Sequence, residues 1–186
     1  MSTHRPHSEL NEVYFCTLTC YKWLPLFQQA KAYSAVYKWF DHLLKDGCNI
    51  LSYVIMPNHL HCLLNPTAPE KHLNILISEG KRFMAYAIVK GIKARGDISL
   101  LKILESGVQD NERKKGKKHQ VFRLSFDARK CYDRQMLEQK LDYIHHNPVA
   151  GKWSLVEDYA TYGHSSAAYY ELGLENKYVT NYKDLA

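Results

Sequence analysis

Two apolar runs, Asn49 to Met56 and His59 to Asn65, flank the dipeptide Pro57-Asn58, and no other feature constrains the fold of this chain as tightly. Proline fixes one backbone dihedral and asparagine tolerates turn geometry, so the dipeptide marks a tight turn. The runs on either side are apolar and too short for ordinary helices. Together they predict a β-hairpin. Successive side chains of a strand point to opposite faces, so His59 and His61 share one face while Leu60 and Cys62 point into a core on the other. Two neighbouring imidazoles can hold one metal ion.

The segments around the hairpin define its setting. Val13 to Thr19 is β-branched and aromatic enough for a first strand, followed by a loop through Trp23, Pro25 and Phe27. From about Ala30 to Lys45, Tyr33, Val36, Tyr37, Phe40, Leu43 and Leu44 recur at helical spacing, and the helix stops near Gly47. A second helix is expected over about Glu70 to Lys90, with Leu73, Ile77, Phe83, Met84, Ile88 and Val89 facing inward. The apolar cluster from Ile98 to Leu104 suggests a short helix, and Gln120 to Cys131 a fourth strand. A third helix, about Arg134 to Asn147, ends at Pro148, which cannot continue the hydrogen bonding and restrains the residue before it. The order β-α-β-β-α-β-α predicts an α+β protein: a ferredoxin-like, mostly antiparallel sheet with helices packed on it.

The whole chain of 186 residues, 1–186, is the length of one domain, with a basic insertion loop at about 106–119. No apolar run approaches the ~18 residues of a membrane span, and residues 1–7 lack the apolar core of a signal peptide. Five scattered cysteines, an odd number, suggest buried thiols in a reducing compartment, so the cytoplasm is the expected location. Cys16 and Cys20, about 13 Å apart along a strand, are too distant to share zinc.

The net charge is +6, and much of the excess lies in Arg113-Lys114-Lys115-Gly116-Lys117-Lys118-His119. A solvated loop explains such a run as well as a polyanion partner does. If the partner is DNA, Arg113, Lys114, Lys115, Lys117 and Lys118 are the candidate phosphate contacts, sequence-independent by nature. The aromatics Trp153, Tyr159, Tyr162, Tyr169, Tyr170, Tyr178 and Tyr182 are expected mainly to pack, with base stacking as the alternative.

The third helix supplies a second constellation. Leu137, Leu141 and Ile144 form its core stripe, while Tyr143 and Asn147, four apart, project together from a neighbouring face. If that face meets the histidine side of the sheet, one site holds two imidazoles, an amide carbonyl and a phenol. A phenol of pKa about 10 is a poor nucleophile unaided. A divalent ion on a non-bridging phosphodiester oxygen polarises phosphorus and offsets developing charge. Tyrosine attack then stores the broken bond, so cleavage and rejoining need no nucleotide cofactor. Taken singly, a His-x-His on a strand is incidental more often than not, and a helical tyrosine usually packs; their combination is what points to a site.

His59-Leu60-His61, with Tyr143-Ile144-His145-His146-Asn147-Pro148-Val149-Ala150-Gly151 downstream, resembles the single-tyrosine HUH transposases. The nearest likeness is to the REP-associated tyrosine transposases, related to small bacterial insertion-sequence transposases. The resemblance runs from about Tyr14 to Ser165-Ser166. It implies a ferredoxin-like nuclease core acting on single-stranded DNA with hairpins, often as a homodimer, through a 5′-phosphotyrosine. It also implies His59 and His61 as metal ligands, Tyr143 as nucleophile and Asn147 as third ligand, with His145 and His146 as neighbouring alternatives. The span from His61 to Tyr143 is long for the family, and His164 stands where an aromatic is expected. A mixed imidazole and amide site with open positions suits Mg²⁺ or Mn²⁺, and Zn²⁺ can also occupy it. The alternative function is a catalytically silent module on the same fold that binds repeated hairpin elements. A hydrolase using the histidines as acid and base lacks a partner carboxylate.

Overall fold

The computed structural model of the chain describes residues 10–68, 72–124, 127–151 and 153–185. Four strands, β1 (Val13–Thr19), β2 (Cys48–Ile55), β3 (His59–Pro66) and β4 (Asp127–Cys131), form one sheet in the order β2-β3-β1-β4, with every neighbouring pair antiparallel. The hairpin closes where Met56 N–H donates to His59 O at 2.8 Å. β3 lies between β1 and β2, as in a ferredoxin-like sheet.

Helices cover both faces of the sheet. A short α1 (Leu26–Gln29) precedes α2 (Tyr33–Lys45), which packs with α3 (Leu73–Ala94) on one face over Cys16, Leu18, Ile50, Ile55, Leu60, Cys62 and Leu64. These two helices meet closely, because Gly80 lies against the Trp39 indole where any Cβ would overlap it. α2 ends near Gly47, whose φ of +68° suits glycine. The opposite face carries α6 (Arg134–His146), which buries Leu137 and Ile144 against Val13, Phe15, Leu51, Val54 and Leu63, with Leu141 packed alongside. The five cysteines are free and buried.

The structure departs from the sequence expectations at four places. α3 begins at Leu73 and runs on to Ala94, and Glu70 lies outside the described residues. Phe83, expected inside, is 38% exposed, because the packed stripe instead runs through Leu76, Ile77, Gly80, Met84, Ile88 and Ile92. Among the described residues the fourth strand spans Asp127–Cys131, and the register against β1 differs by two between Thr17↔Asp127 and Cys20↔Phe122, while Ser125 and Phe126 of the expected strand lie outside those residues. The expected basic loop contains α5 (Asp110–Lys114), which follows α4 (Ile98–Ser106). Acidic Asp110 and Glu112 open α5, and Arg113 reaches back to the carbonyls of Glu105 at 3.1 Å and Val108 at 3.5 Å.

Of the C-terminal aromatics, Tyr162 and Tyr170 bond to β2 and Tyr178 packs on α2. Tyr162 donates to Ile55 O at 2.9 Å and Tyr170 to Leu51 O at 2.7 Å, and Tyr178 stacks on Tyr37 with ring centroids 5.5 Å apart. His164 stacks on Tyr33 at 4.0 Å and lies 3.0 Å from the Tyr37 hydroxyl. Ile55 N–H donates to His164 O and Ser166 N–H to Tyr53 O, so the chain's own C-terminal segment covers this sheet edge.

One buried polar cluster docks α6. The β2–β3 register shifts between Ile50 and Ser52, which sends both Leu51 and Ser52 to the α6 face. There His145 Nε2 lies 3.2 Å from Ser52 Oγ and 2.9 Å from Ser166 Oγ, and the two hydroxyls are 3.0 Å apart. Burial pushes His145 down to about 4, with the neighbouring His146 adding to the effect, and protonation would create a charge whose Nδ1 has no partner among the described residues. The unfolded chain takes up this proton below about pH 6.5, whereas the folded chain refuses it until about pH 4. The contribution is therefore complete above pH 7 and falls as pH drops through that window, by about 1.4 kcal/mol per unit and roughly 3 kcal/mol in all. Urea unfolding at pH 7 and pH 4.5 should show a smaller loss of stability in His145→Gln than in the wild type.

Candidate active site

Strand β3 is buried on both faces, and its alternation decides what each face receives. Leu60, Cys62 and Leu64 enter the α2/α3 core, leaving His59 and His61 side by side on the α6 face. Their ring centroids are 4.6 Å apart. Across the ladder Thr19 opposes His59 and Thr17 opposes His61. The His61 ring stacks on Phe15 at 5.2 Å, and Thr17 Oγ1 lies 2.9 Å from its Nδ1.

The turn dipeptide orients the other imidazole. Asn58 donates through Nδ2 to Trp23 O at 3.3 Å, so its Oδ1 faces His59 Nδ1, which it meets at 2.6 Å. An amide oxygen only accepts, hence Nδ1 carries the proton and Nε2 the lone pair. His59 Nε2 in turn lies 3.2 Å from Asn147 Oδ1, another lone-pair atom. Two acceptors converge with no proton between them. Two cis ligands of an octahedral ion with bonds of about 2.1 Å lie about 3 Å apart, so the His59–Asn147 spacing is one that two ligands of a single divalent cation could adopt, with His61 as the neighbouring imidazole. Among the described residues no group of three or more His, Cys, Asp or Glu comes together, so an ion here would take its third protein donor from the amide.

α6 brings the remaining groups. Asp133 caps its first turn by accepting from Met136 N–H at 2.7 Å. Asn147 keeps right-handed helical dihedrals, φ −54° and ψ −40°, although Pro148 follows and disfavours that region, so it stays on the Tyr143 face. The Tyr143 ring lies edge-on to His61 at 5.3 Å and to Phe15 at 5.9 Å, and the residue is 51% exposed. Lys140, one turn earlier, places its Nζ 5.1 Å from the Phe15 ring centroid. His59, His61, Tyr143 and Asn147 are thus brought together. His146 is directed elsewhere, with Nδ1 3.1 Å from Asp142 Oδ1 and its ring 4.0 Å from that of Tyr159, and His145 is committed to the two serines.

Burial keeps both imidazoles neutral. It pushes His59 down to about 4 against an opposing pull from the Asn147 side chain. His61 is pushed down to about 3 by burial, then by His59 and Lys140. At neutral pH each ring therefore carries one nitrogen lone pair.

The basic residues form a separate region beside α4. Lys115 and Lys117 pair with Glu112 at 3.7 and 3.6 Å, and Arg113 holds the end of α4. Lys114 and Lys118 make no hydrogen bond or ion pair among the described residues. Among the described residues, none of the five makes a hydrogen bond, ion pair or ring contact with the four-residue cluster. Sequence reasoning missed Thr17, Asn58, Trp23, Phe15 and Lys140. Asn58 and Lys140 carried a signal, as the neighbour of His59 and as the residue one helical turn before Tyr143.

No protein-family model and no curated protein matches the sequence. Among solved structures, a REP-associated tyrosine transposase bound to a REP hairpin is similar at a TM-score of 0.64 and 17% identity, over 100% of this chain and 94% of that one. The chain has the same fold. A candidate transposase from Deinococcus radiodurans R1 aligns with a TM-score of 0.44 and 14% identity, over 77% of this chain and 95% of the other.

The tautomer assigned to His59 is directly measurable. In ¹⁵N-histidine-labelled protein at pH 7, long-range ¹H–¹⁵N correlations should show His59 neutral with the proton on Nδ1, remaining so down to about pH 4. Asn58→Ala should move it toward the Nε2–H form.

Proposed function

We propose that the protein is a divalent-metal-dependent transposase or endonuclease of single-stranded DNA, which cleaves and rejoins hairpin-bearing ends through a 5′-phosphotyrosine on Tyr143. The observation that carries this reading is the convergence of Tyr143 and Asn147 from α6 on His59 and His61 from β3. The fold shared with a transposase seen bound to a REP hairpin supports hairpin DNA as the substrate class.

The residues divide the work by their chemistry. Tyr143 stands on the open side of the site, where a phosphodiester can approach its hydroxyl. The bond formed joins Tyr143 Oη, which gives up its proton to solvent, to phosphorus, and the bond broken joins phosphorus to the 3′ oxygen, which takes up a proton from solvent and leaves as a hydroxyl. Mg²⁺ or Mn²⁺, when bound, polarises the phosphate and offsets the charge that develops on it. His59, His61 and Asn147 would hold that ion, while Asn58 and Thr17 keep the imidazoles turned correctly. Lys140 adds a cation beside the position the phosphate would take. A second 3′-hydroxyl attacking the phosphotyrosine reverses the step, rejoins the strand and restores the phenol. The five basic residues near α5 would act on the DNA away from the reacting atoms.

The test is incubation of the protein with labelled single-stranded hairpin DNA and Mn²⁺ or Mg²⁺, read as a covalent adduct on a denaturing gel. The wild type should form the adduct, and Tyr143→Phe should lose it with a fall in cleavage of about 1,000-fold or more. His61→Ala should likewise cut adduct formation. An adduct that persists in Tyr143→Phe removes the nucleophile assignment. Hairpin binding without any adduct favours the silent binding module instead.

A further inference from the structure

Two half-exposed rings flank the imidazole pair, and Tyr143 is only one of them. The other is Trp23, 52% exposed, whose indole lies edge-on to His59 at 5.8 Å. Its backbone is unusual. Lys22 and Trp23 adopt consecutive left-handed conformations, with φ of 52° and 57°, which side chains of this size rarely enter.

Such conformations persist only where the surroundings over-determine them. Here the turn is tied to the residues that carry the site. Cys20 N–H donates to Asn58 O at 2.9 Å, Asn58 Nδ2 to Trp23 O at 3.3 Å, and Phe27 N–H to Pro57 O at 3.0 Å, while Tyr21 N–H reaches Val121 O at 2.7 Å. Asn58 thereby holds the Trp23 backbone with one end of its amide and the His59 ring with the other. Packing does not account for the residue at the tip: Leu26 and Phe27, just beyond, are fully buried, whereas the indole is left half in solvent. A large, rigid π face is held in a strained turn at a fixed place beside the histidine pair.

We propose that Trp23 is a stacking platform for an unpaired DNA base adjoining the phosphate held at the His59–His61 site. The proposal rests on the single-stranded DNA reading above and adds the part of the substrate that this side of the site grips. Every base has a π face, so an exposed indole binds a single strand without demanding one sequence. Lys22, whose ammonium lies 5.5 Å from the Tyr21 ring centroid, adds positive charge to the same turn. With Tyr143 at His61 and Trp23 at His59, the phosphate is reached from one side and its neighbouring base from the other.

The experiment is a cycle between protein and DNA, carried out in the Tyr143→Phe background so that binding is read without cleavage. Fluorescence anisotropy measures the affinity for a labelled hairpin with a single-stranded flank, with an abasic site placed at each flank position in turn. Trp23→Ala should weaken binding of the intact flank by about tenfold. One abasic position should cost the parent a similar factor and cost Trp23→Ala little, while Trp23→Phe recovers part of the affinity. Trp23→Leu, which keeps bulk but lacks the π face, should behave like Trp23→Ala and covers the case in which the smaller residue unfolds the turn. Equal abasic penalties in parent and variant at every position, or an unchanged affinity in Trp23→Ala, would overturn the platform. That result beside a Tyr143-dependent adduct in the wild type overturns Trp23 alone, whereas no binding to any single-stranded flank removes both readings.

Discussion

Everything in this molecule depends on β3 being covered on both faces. A strand with one wet face can place histidines on it cheaply, but β3 has a helical layer on each side, and its two imidazoles are only 5% and 6% exposed. Buried polar groups are costly unless bonded. Thr17 from the neighbouring strand and Asn58 from the hairpin turn supply partners at Nδ1 of both rings. A one-residue slip of the register would send the histidines into the α2/α3 core and Leu60 and Cys62 into the site. The same ladder therefore specifies the core and the chemistry.

The second requirement is that α6 lie across the sheet in one position. Its apolar stripe alone would allow some sliding, because Leu137, Leu141 and Ile144 meet a broad apolar surface. His145 narrows the choice. A buried imidazole that must meet Ser52 and Ser166 has one workable place, and Tyr143 and Asn147 lie two residues to either side of it on the chain. The register shift at β2 that exposes Ser52 to α6, and the C-terminal segment that delivers Ser166, thus bear on the placement of Tyr143 and Asn147.

Much of this was legible in the sequence, and the rest was not for physical reasons. The hairpin, α2 and α6 follow from local periodicity and from Pro57, Gly47 and Pro148, so they needed no knowledge of the rest of the fold. The shared face of His59 and His61 follows from the period of a strand, and that of Tyr143 and Asn147 from the period of a helix. Thr17 became visible only once β1 was paired with β3, because a cross-strand neighbour is fixed by register. Ser52 required an irregularity that no pattern announces. The sequence alternates like a strand from Gln120 onward, yet Phe122 meets Cys20 two residues out of register with the Thr17↔Asp127 pair of β4. In the basic segment, charge masked a helical turn whose order comes from Arg113 meeting the end of α4. Trp23 lay in a segment treated only as a loop, since a left-handed pair of non-glycine residues leaves no sequence trace.

On the proposed function, the set of candidate ligands also explains why a site built without carboxylates would suit phosphate chemistry. His59 and His61 are held neutral by burial, and Asn147 is an uncharged amide. An ion bound by these three keeps its full double charge, whereas each carboxylate ligand would cancel one unit of it. In the proposed reaction the retained charge would face a phosphodiester that carries one negative charge and gains more as the new bond forms. Lys140 acts in the same direction, depressing His61 further and adding a cation next to Tyr143. The cost is a site that repels cations when empty of anion, and burial of the imidazoles, by keeping them unprotonated, holds that repulsion down. On the proposed function, neutral ligands and the nearby Lys140 ammonium would allow the site to accept a divalent ion and still present net positive charge to DNA.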